Sequence, residues 1–220
     1  MTHDRATRIL ATSPIAYLPL WEECGSVAYD LTGNGCDGAY IGAGRGEYGG
    51  AFFDGIDDYI NVTTPQFLSL FDGTEGTIAI RLRVANDGVW TDSKERRFLA
   101  IEAPGNYLLL RKLTQQNALN CQYNAGGVIK SVNIPTNSVE RLWLTFTWSE
   151  SEDLVIGYLN GEQVGVIGTS MGHWSAPPTM AIVGAGHATP NRVWWGSLSD
   201  AVFWNRPLPA DEIAALWSVQ

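Results

Sequence analysis

Paired carboxylates are considered first, because a retaining glycoside hydrolase needs a nucleophile and an acid/base about 5 Å apart across one sugar bond. The sequence offers two acidic groups. Glu22 and Glu23 are adjacent, so on a strand they project to opposite faces. Glu150, Glu152 and Asp153 share a polar turn. We interpret both groups as solvated acids rather than as a catalytic pair.

Metal-dependent and nucleophilic catalysis lack the residue spacings that they require. His3, His173 and His187 are isolated, with no His or Glu at metal-ligand spacing. The sequence contains no Gly-x-Ser-x-Gly elbow, and no predicted helix follows the glycine-rich segment 42–46, as one would in a phosphate loop. We therefore predict that the chain is not an enzyme.

Binding chemistry is better represented, because a sugar is recognised by an aromatic platform beside hydrogen-bonding groups. The loop candidates are Trp90, His173, Trp174, His187, Asn191 and Arg192, and the candidates on the solvent face of one predicted sheet are Arg81, Arg83, Arg111, Asn120 and Gln122. We predict glycan contacts at these side chains. In the alternative interpretation, both tryptophans cap the edge of a sandwich and the arginines are ordinary surface.

Composition indicates a globular chain with a large core. Its negative net charge indicates electrostatic repulsion between the chain and nucleic acid. The 220 residues include 9 Trp, 8 Tyr and 7 Phe, and 45% of them are hydrophobic. The formal net charge is −9, and the basic segment 94–97 contains its own acid, so we interpret it as a solvated loop. Because phosphate backbones bind clustered Lys and Arg, we expect no nucleic-acid partner.

The N-terminal residues bear on location. Residues 1–12 are polar and lack the apolar segment of a secretory signal, and no later run is long enough to span a membrane. We expect cytoplasmic synthesis without a signal peptide or membrane insertion, and hence reduced cysteines. The three thiols cannot all pair, although pairing between Cys24 and Cys36 stays open.

Alternation of apolar and polar residues predicts strands through most of the chain. The predicted strands cover 15–21, 77–84, 97–103, 107–113, 118–123, 128–134, 142–148, 153–159, 162–167 and 180–184, and a long aromatic strand begins at 194. Asn160-Gly161 suits a type I′ hairpin turn. Asp211 and Glu212 follow Pro209 and favour the first turn of one C-terminal helix. The pattern predicts an all-β fold of two packed antiparallel sheets.

Three segments resemble the laminin G-like branch of the concanavalin A-like lectin/glucanase superfamily. They are the turn at 30–38 (DLTGNGCDG), the segment 53–60 (FDGIDDYI) and the C-terminal run 196–213 with GSLSD, NRPL and DEI. The hairpin sequence YLNG at 158–161 adds a fourth match. The resemblance covers residues 15–217 and implies a jelly-roll sandwich.

The resemblance also implies a possible structural cofactor and excludes one activity. Many members hold calcium with carboxylates and carbonyls, which implies Asp30, Asn34, Asp54 and Asp200 as ligands here. Ser199 replaces the first Asp of the motif at that place and removes one full charge. The Glu-x-Asp-x-x-Glu strand of the superfamily's glycanases is absent from the sequence.

We divide the chain into an N-terminal arm, residues 1–12, and a jelly-roll domain, residues 13–220. The preferred hypothesis is a structural or attachment component of a larger assembly, such as a phage capsid decoration or tail protein, with protein partners bound through residues 1–12 and possible adhesion to cell-surface glycans. The virion surface would be its final location. The alternatives are a free-standing carbohydrate-binding lectin-like module and, as the weakest, a glycan-cleaving enzyme.

Overall fold

Each strand predicted from alternation forms, with boundaries shifted by one or two residues except at the end of the first, which stops at Leu18 instead of residue 21. The computed structural model describes residues 2–45, 49–114, 116–168 and 170–218. The helices are α1 (Thr2–Ala11), α2 (Pro65–Leu70), α3 (Gly88–Thr91) and α4 (Ala210–Trp217). The strands are β1 (Ala16–Leu18), β2 (Val27–Ala28), β3 (Gly38–Ile41), β4 (Gly44–Arg45), β5 (Ala51–Asp54), β6 (Tyr59–Asn61), β7 (Glu75–Val84), β8 (Arg96–Ala103), β9 (Asn106–Lys112), β10 (Ala118–Ala125), β11 (Val128–Pro135), β12 (Leu142–Ser149), β13 (Leu154–Leu159), β14 (Glu162–Gly168), β15 (Met180–Val183) and β16 (Trp195–Trp204).

Two antiparallel sheets pack face to face, which confirms the predicted all-β sandwich. The first sheet has the order β14-β13-β12-β7-β16-β5-β4, with β1 beside β16, and the second has the order β11-β10-β9-β8-β15-β6-β3-β2. Ile78 and Ile80 of β7 face the core between the sheets, as do Leu144 and Phe146 of β12. The late strand β16 pairs with β7, β5 and β1, so strands distant in sequence meet at the centre of the first sheet.

The Asn160-Gly161 hairpin has the geometry that its sequence predicts. Leu159 pairs with Glu162, which leaves two residues in the turn between β13 and β14. Both turn residues have positive φ, 54° at Asn160 and 83° at Gly161, as a type I′ turn requires.

The outer face of the first sheet is covered by the terminal helices. Ala6 and Ile9 of α1 and Ile213 and Leu216 of α4 are buried in one apolar cluster with the outward-facing Trp143 of β12. The segment predicted as an arm is thus a helix packed on its own domain, and only its outer side is open to a partner. None of the described helices is long and apolar enough to cross a membrane.

A β-bulge interrupts β16 where it pairs with β7. Ser199 lies opposite Arg81, and the register shifts before Val202. Asp200 has a φ of 50°, in the left-handed region that Asp adopts more readily than most residues, and its N–H donates to Pro19 O at 3.1 Å. The extra residue turns the Asp200 carboxylate outwards, where it meets helix α1.

The three cysteines are unpaired. Cys24 is exposed, whereas Cys36 and Cys121 are buried. Burial, together with the negative charges of Asp30 and Asp37, raises the pKa of Cys36 to about 11. This thiol is therefore neutral at physiological pH.

Candidate functional site

The predicted glycan-binding residues are divided between the two sheets. Arg81 and Arg83 belong to β7 of the first sheet, whereas Arg111, Asn120 and Gln122 belong to β9 and β10 of the second. The prediction of one common solvent face was wrong, because alternation assigns a side to each residue but does not say which sheet the strand joins. Only the second group forms one surface whose side chains are joined by hydrogen bonds.

That surface lies on the outer side of the second sheet, and we call it the amide face. It consists of Tyr107, Leu109 and Arg111 of β9, Asn120, Gln122 and Asn124 of β10, and Ser131 and Asn133 of β11. The intervening residues of β9 and β10 point into the core between the sheets. Strict period-two alternation therefore places these side chains together.

Hydrogen bonds between side chains fix the geometry of the amide face. Arg111 Nε donates to Asn120 Oδ1 at 3.0 Å, and Arg111 Nη2 donates to Gln122 Oε1 at 3.2 Å. The amides continue across the next strand, since Asn120 Nδ2 donates to Asn133 Oδ1 at 2.7 Å and Gln122 Nε2 donates to Ser131 Oγ at 2.9 Å. The ladder holds the polar groups in fixed orientations before any ligand arrives.

One end of the amide face retains an unused acceptor beside an aromatic ring. Asn124 Oδ1 is buried and has no hydrogen-bond partner among the described residues. Tyr107 lies directly opposite Asn124 and is half-buried. A sugar would find an acceptor for one hydroxyl and a ring for its apolar side at this position.

Glu95 gathers three arginines at the other end of the amide face. Its Oε1 lies 2.8 Å from Arg97 Nε, 3.4 Å from Arg111 Nη1 and 3.5 Å from Arg192 Nε. Burial alone would raise the pKa of Glu95, but the hydrogen bond from Arg97 and the charges of all three arginines lower it. The cluster carries a net charge of two positives, because three guanidinium groups surround one carboxylate.

The loop between β15 and β16 joins this cluster. Arg192 O accepts a hydrogen bond from Arg97 N, and Asn191 O accepts one from Gly186 N at 2.9 Å. His187 lies at the exposed tip, where its Nδ1 is 2.8 Å from Thr189 Oγ1. The structure thus brings Arg192 close to Arg111, on either side of Glu95. Asn191 lies in the same loop, immediately before Arg192.

Sequence reasoning missed Glu95 and misjudged its segment. Residues 94–97 are not a solvated loop, because the Arg96 side chain is 5% exposed and its Nε lies 2.6 Å from Asp92 Oδ2. Lys112 Nζ is fully buried and lies 2.8 Å from Asp92 Oδ1. The available signal was the charge alternation of the segment beside a strand that carries Arg111 and Lys112.

Trp90 and Trp174 do not offer open ring faces, since each residue is 4% exposed. Trp90 Nε1 donates to Ser138 O at 3.2 Å, and Trp174 packs against Tyr123 with ring centroids 5.8 Å apart. The alternative interpretation, in which both cap the sandwich edge, describes their positions. Neither supplies the exposed platform that the sequence suggested.

Glu150 fixes the segment that carries Trp174. Its carboxylate accepts hydrogen bonds from Trp174 N and, at 2.8 Å, from Tyr123 Oη, and it lies 2.8 Å from His173 Nδ1. Burial and the Glu150 carboxylate raise the pKa of Tyr123. The interpretation of Glu150 as a solvated acid was wrong, because its side chain is 18% exposed.

The four residues implied as calcium ligands serve contacts of the chain itself. Asp30 accepts three backbone N–H bonds, and Asp54 Oδ1 accepts two from residues that follow it. Asn34 Nδ2 donates to a backbone carbonyl beside β1, and Asp200 pairs with two arginines. Among the described residues, the carboxylates that converge are Asp54, Asp57 and Asp58. The residues present do not fit the calcium site that the resemblance implied.

Comparisons with known proteins agree on the fold. A family model described as the concanavalin A-like lectin/glucanases superfamily matches residues 38–214. No curated protein matches the sequence. Among solved structures, the binding domain of botulinum neurotoxin serotype D is similar with a TM-score of 0.73 and 12% identity, over 94% of this chain and 52% of that one.

Two further structures show the same architecture in different settings. Trypanosoma rangeli sialidase in complex with sialic acid is similar with a TM-score of 0.72 and 13% identity, over 98% of this chain and 37% of that one. A heptameric pentraxin from Limulus polyphemus gives a TM-score of 0.51 and 15% identity, over 66% of this chain and 70% of that one. The chain spans about half the length of the toxin domain that it matches.

Proposed function

The chain belongs to the concanavalin A-like lectin/glucanase superfamily, and we propose that it is a non-catalytic, lectin-like module that binds an acidic oligosaccharide across its amide face. The observation that carries the proposal is the ladder from Arg111 through Asn120 and Gln122, which fixes the orientation of its groups without a ligand. Preorganised groups lose little conformational entropy on binding. The fold itself names no ligand, because function resides in sites placed on it.

The chemistry of the amide face favours an oligosaccharide over other ligands. Amide groups donate and accept, as sugar hydroxyls do, and Tyr107 offers a ring beside them. The cluster of Arg97, Arg111 and Arg192 around Glu95 leaves net positive charge at one end, on a chain whose overall charge is negative. A carboxylate or sulfate group on the sugar would bind there by charge-assisted hydrogen bonds.

Substitutions on the amide face should weaken glycan binding while the fold persists. Neutral and acidic oligosaccharides are first screened on an array, and the affinity of the best ligand is then measured by calorimetry. We expect Arg111→Gln and Gln122→Ala each to lower the affinity at least about tenfold. Each substitution removes one member of the hydrogen-bonded ladder, and with it the groups that the ladder orients towards the ligand.

The matched control for this measurement is Arg8→Gln on α1. Arg8 is an exposed arginine outside the amide face, with a side chain that is 54% exposed. It should leave glycan affinity unchanged. Absence of any oligosaccharide bound by the natural chain at millimolar concentration would contradict the proposal, as would full affinity in Arg111→Gln.

A second candidate function, that of a structural or attachment subunit in a larger assembly, is favoured by strand β14. This strand ends the first sheet, and within the described residues no strand pairs with its outer side. Val164 and Val166 are 42% and 51% exposed along it. An open edge with exposed apolar residues pairs readily with another chain. A virion surface is one setting that would use such a subunit.

Light scattering after gel filtration tests this second candidate. We expect the natural chain to form a species larger than a monomer and Val166→Lys to shift it to the monomer, because a charge on an edge strand opposes pairing. Ile56→Lys is the control, since Ile56 is 72% exposed in a loop. A natural chain that stays monomeric at every concentration tested would reject this candidate without affecting the glycan proposal.

A further inference from the structure

A cavity of about 260 Å³ lies on the outer side of the first sheet, between the two terminal helices. Its walls come from elements far apart in sequence. They include Arg5 of α1, Arg81 of β7, Arg141 and Trp143 at the start of β12, and Leu216 and Trp217 of α4. We call it the arginine cavity. Helices α1 and α4 enclose a site that the sheet alone would leave open.

The arginine cavity concentrates positive charge on an acidic chain. Arg5 Nη2 lies 3.1 Å and Arg81 Nη1 lies 3.6 Å from Asp200 Oδ2. The Tyr17 hydroxyl donates to Asp200 Oδ1 at 2.6 Å. Asp200, with Glu140 on the cavity wall, supplies two carboxylates against the three guanidinium groups of the wall.

The guanidinium groups act on one another across the cavity. Burial, and after it the charge of Arg5, lowers the pKa of Arg81, whereas Asp200 raises it. Burial also lowers the pKa of Arg141, with Asp200 opposing and Arg5 reinforcing that shift. An additional negative charge would relieve this repulsion.

Two N–H donors of residues in the cavity wall lack acceptors. The Arg5 side chain is 10% exposed, and Trp143 is 1% exposed. Among the described residues, neither Arg5 Nε nor Trp143 Nε1 has a hydrogen-bond partner. Buried donors are nearly always satisfied in native structures, so these two require an acceptor that the described part of the chain does not supply.

We propose that the arginine cavity binds a small organic anion, namely a carboxylate that carries a short apolar or aromatic group. A carboxylate matches the planar fork of a guanidinium group, and three such groups, those of Arg5, Arg81 and Arg141, belong to residues of the cavity wall. Leu216 and Trp217 provide the apolar wall for the remainder of the ligand. The volume of about 260 Å³ lies just below the usual range for ligand sites and limits that remainder to a few carbons or one ring.

Benzoate and benzamide are the probes for this site, because they share size and ring but differ in charge. Calorimetry should show saturable benzoate binding to the full chain and at least about tenfold weaker benzamide binding. We expect Arg141→Gln to lower benzoate affinity at least about tenfold, because it removes one guanidinium group from the cavity wall.

Arg8→Gln on α1 is the matched control and should bind benzoate as the natural chain does. Benzamide binding as tight as benzoate binding would overturn the proposal, and so would unchanged benzoate affinity in Arg141→Gln. Inorganic phosphate that bound as tightly as benzoate would overturn the assignment of an apolar group. None of these results depends on whether the amide face binds a glycan.

A measurement on the natural chain decides the matter even if a variant fails to fold. The Trp143 indole N–H gives its own signal in a nitrogen-15 correlation spectrum. Benzoate should shift this signal with the same dissociation constant that calorimetry gives, and benzamide should not. An unmoved Trp143 signal at saturating benzoate would place any binding outside the arginine cavity and overturn the proposal.

Discussion

Asp200→Asn is expected to lower the free energy of unfolding by about 3–5 kcal/mol, because removal of one partner from a buried ion pair leaves the other charge uncompensated. Asp200 is 0% exposed and faces both Arg5 and Arg81. Asn also tolerates the left-handed backbone at this position, so the substitution changes charge without adding strain. Equilibrium unfolding in urea at neutral pH measures the loss.

Asp4→Asn is the control for this prediction. Asp4 pairs with Arg8 at 3.5 Å on the surface of α1, where the two side chains are 63% and 54% exposed. Exposed pairs contribute at most about 1 kcal/mol, so this variant should unfold almost as the natural chain does. If Asp200→Asn lost no more stability than Asp4→Asn, Arg5 and Arg81 would be hydrated. Their ion pairs with Asp200 would then not hold α1 on the sheet.

The sandwich could be predicted because alternation assigns each side chain to one face of its strand. Ile78 and Ile80 of β7 and Leu144 of β12 are predicted to face the core and do so. Alternation fails at Asp200 of β16. The bulge inserts one residue there, so every later residue of the strand faces the side of the sheet opposite to the one that alternation would assign. A bulge has no composition signal of its own, so the sequence suggested a calcium ligand where the structure has an ion pair.

The site was predictable only as far as it lies on regular strands. Arg111, Asn120 and Gln122 were assigned to one face, and hydrogen bonds join them there. The burial of Trp90 and Trp174 was not predictable, because loop residues obey no period and contacts distant in sequence decide their exposure. The same holds for residues 2–11, whose helix depends on packing against the sheet rather than on its own short, polar sequence.

Helix α1 connects the stability of the fold to the arginine cavity. Arg5 both pairs with Asp200 and lines the cavity, and Trp204 Nε1 donates to Thr12 Oγ1 at 2.9 Å where the helix ends. An anion bound beside Arg5 therefore contacts the same helix that closes the outer layer. A ligand that binds only the folded chain raises its stability by mass action, so benzoate should raise the melting temperature as well.

Gly184→Ala should lower the free energy of unfolding by about 2–5 kcal/mol, through left-handed strain and overpacking together. Gly184 follows β15 with a φ of 89°, and an added Cβ would overlap the ring of Phe53, which is fully buried. Its backbone is fixed, since its N–H donates to Phe98 O at 3.0 Å and its carbonyl accepts from Trp194 N at 2.8 Å. The ring and the backbone therefore have little freedom to move apart. Urea unfolding again provides the measurement.

Gly105→Ala separates the two contributions to that loss. Gly105 has a φ of 76°, close to that of Gly184, but no heavy atom lies within 4 Å of the place where its Cβ would stand. Gly105→Ala should therefore lower the free energy of unfolding only by the cost of the left-handed backbone, about 1–2 kcal/mol. The excess in Gly184→Ala then measures the contact with Phe53. Equal losses in the two variants would show that left-handed backbone alone, and not the Phe53 ring, requires glycine at the start of the loop that carries Arg192 to the amide face.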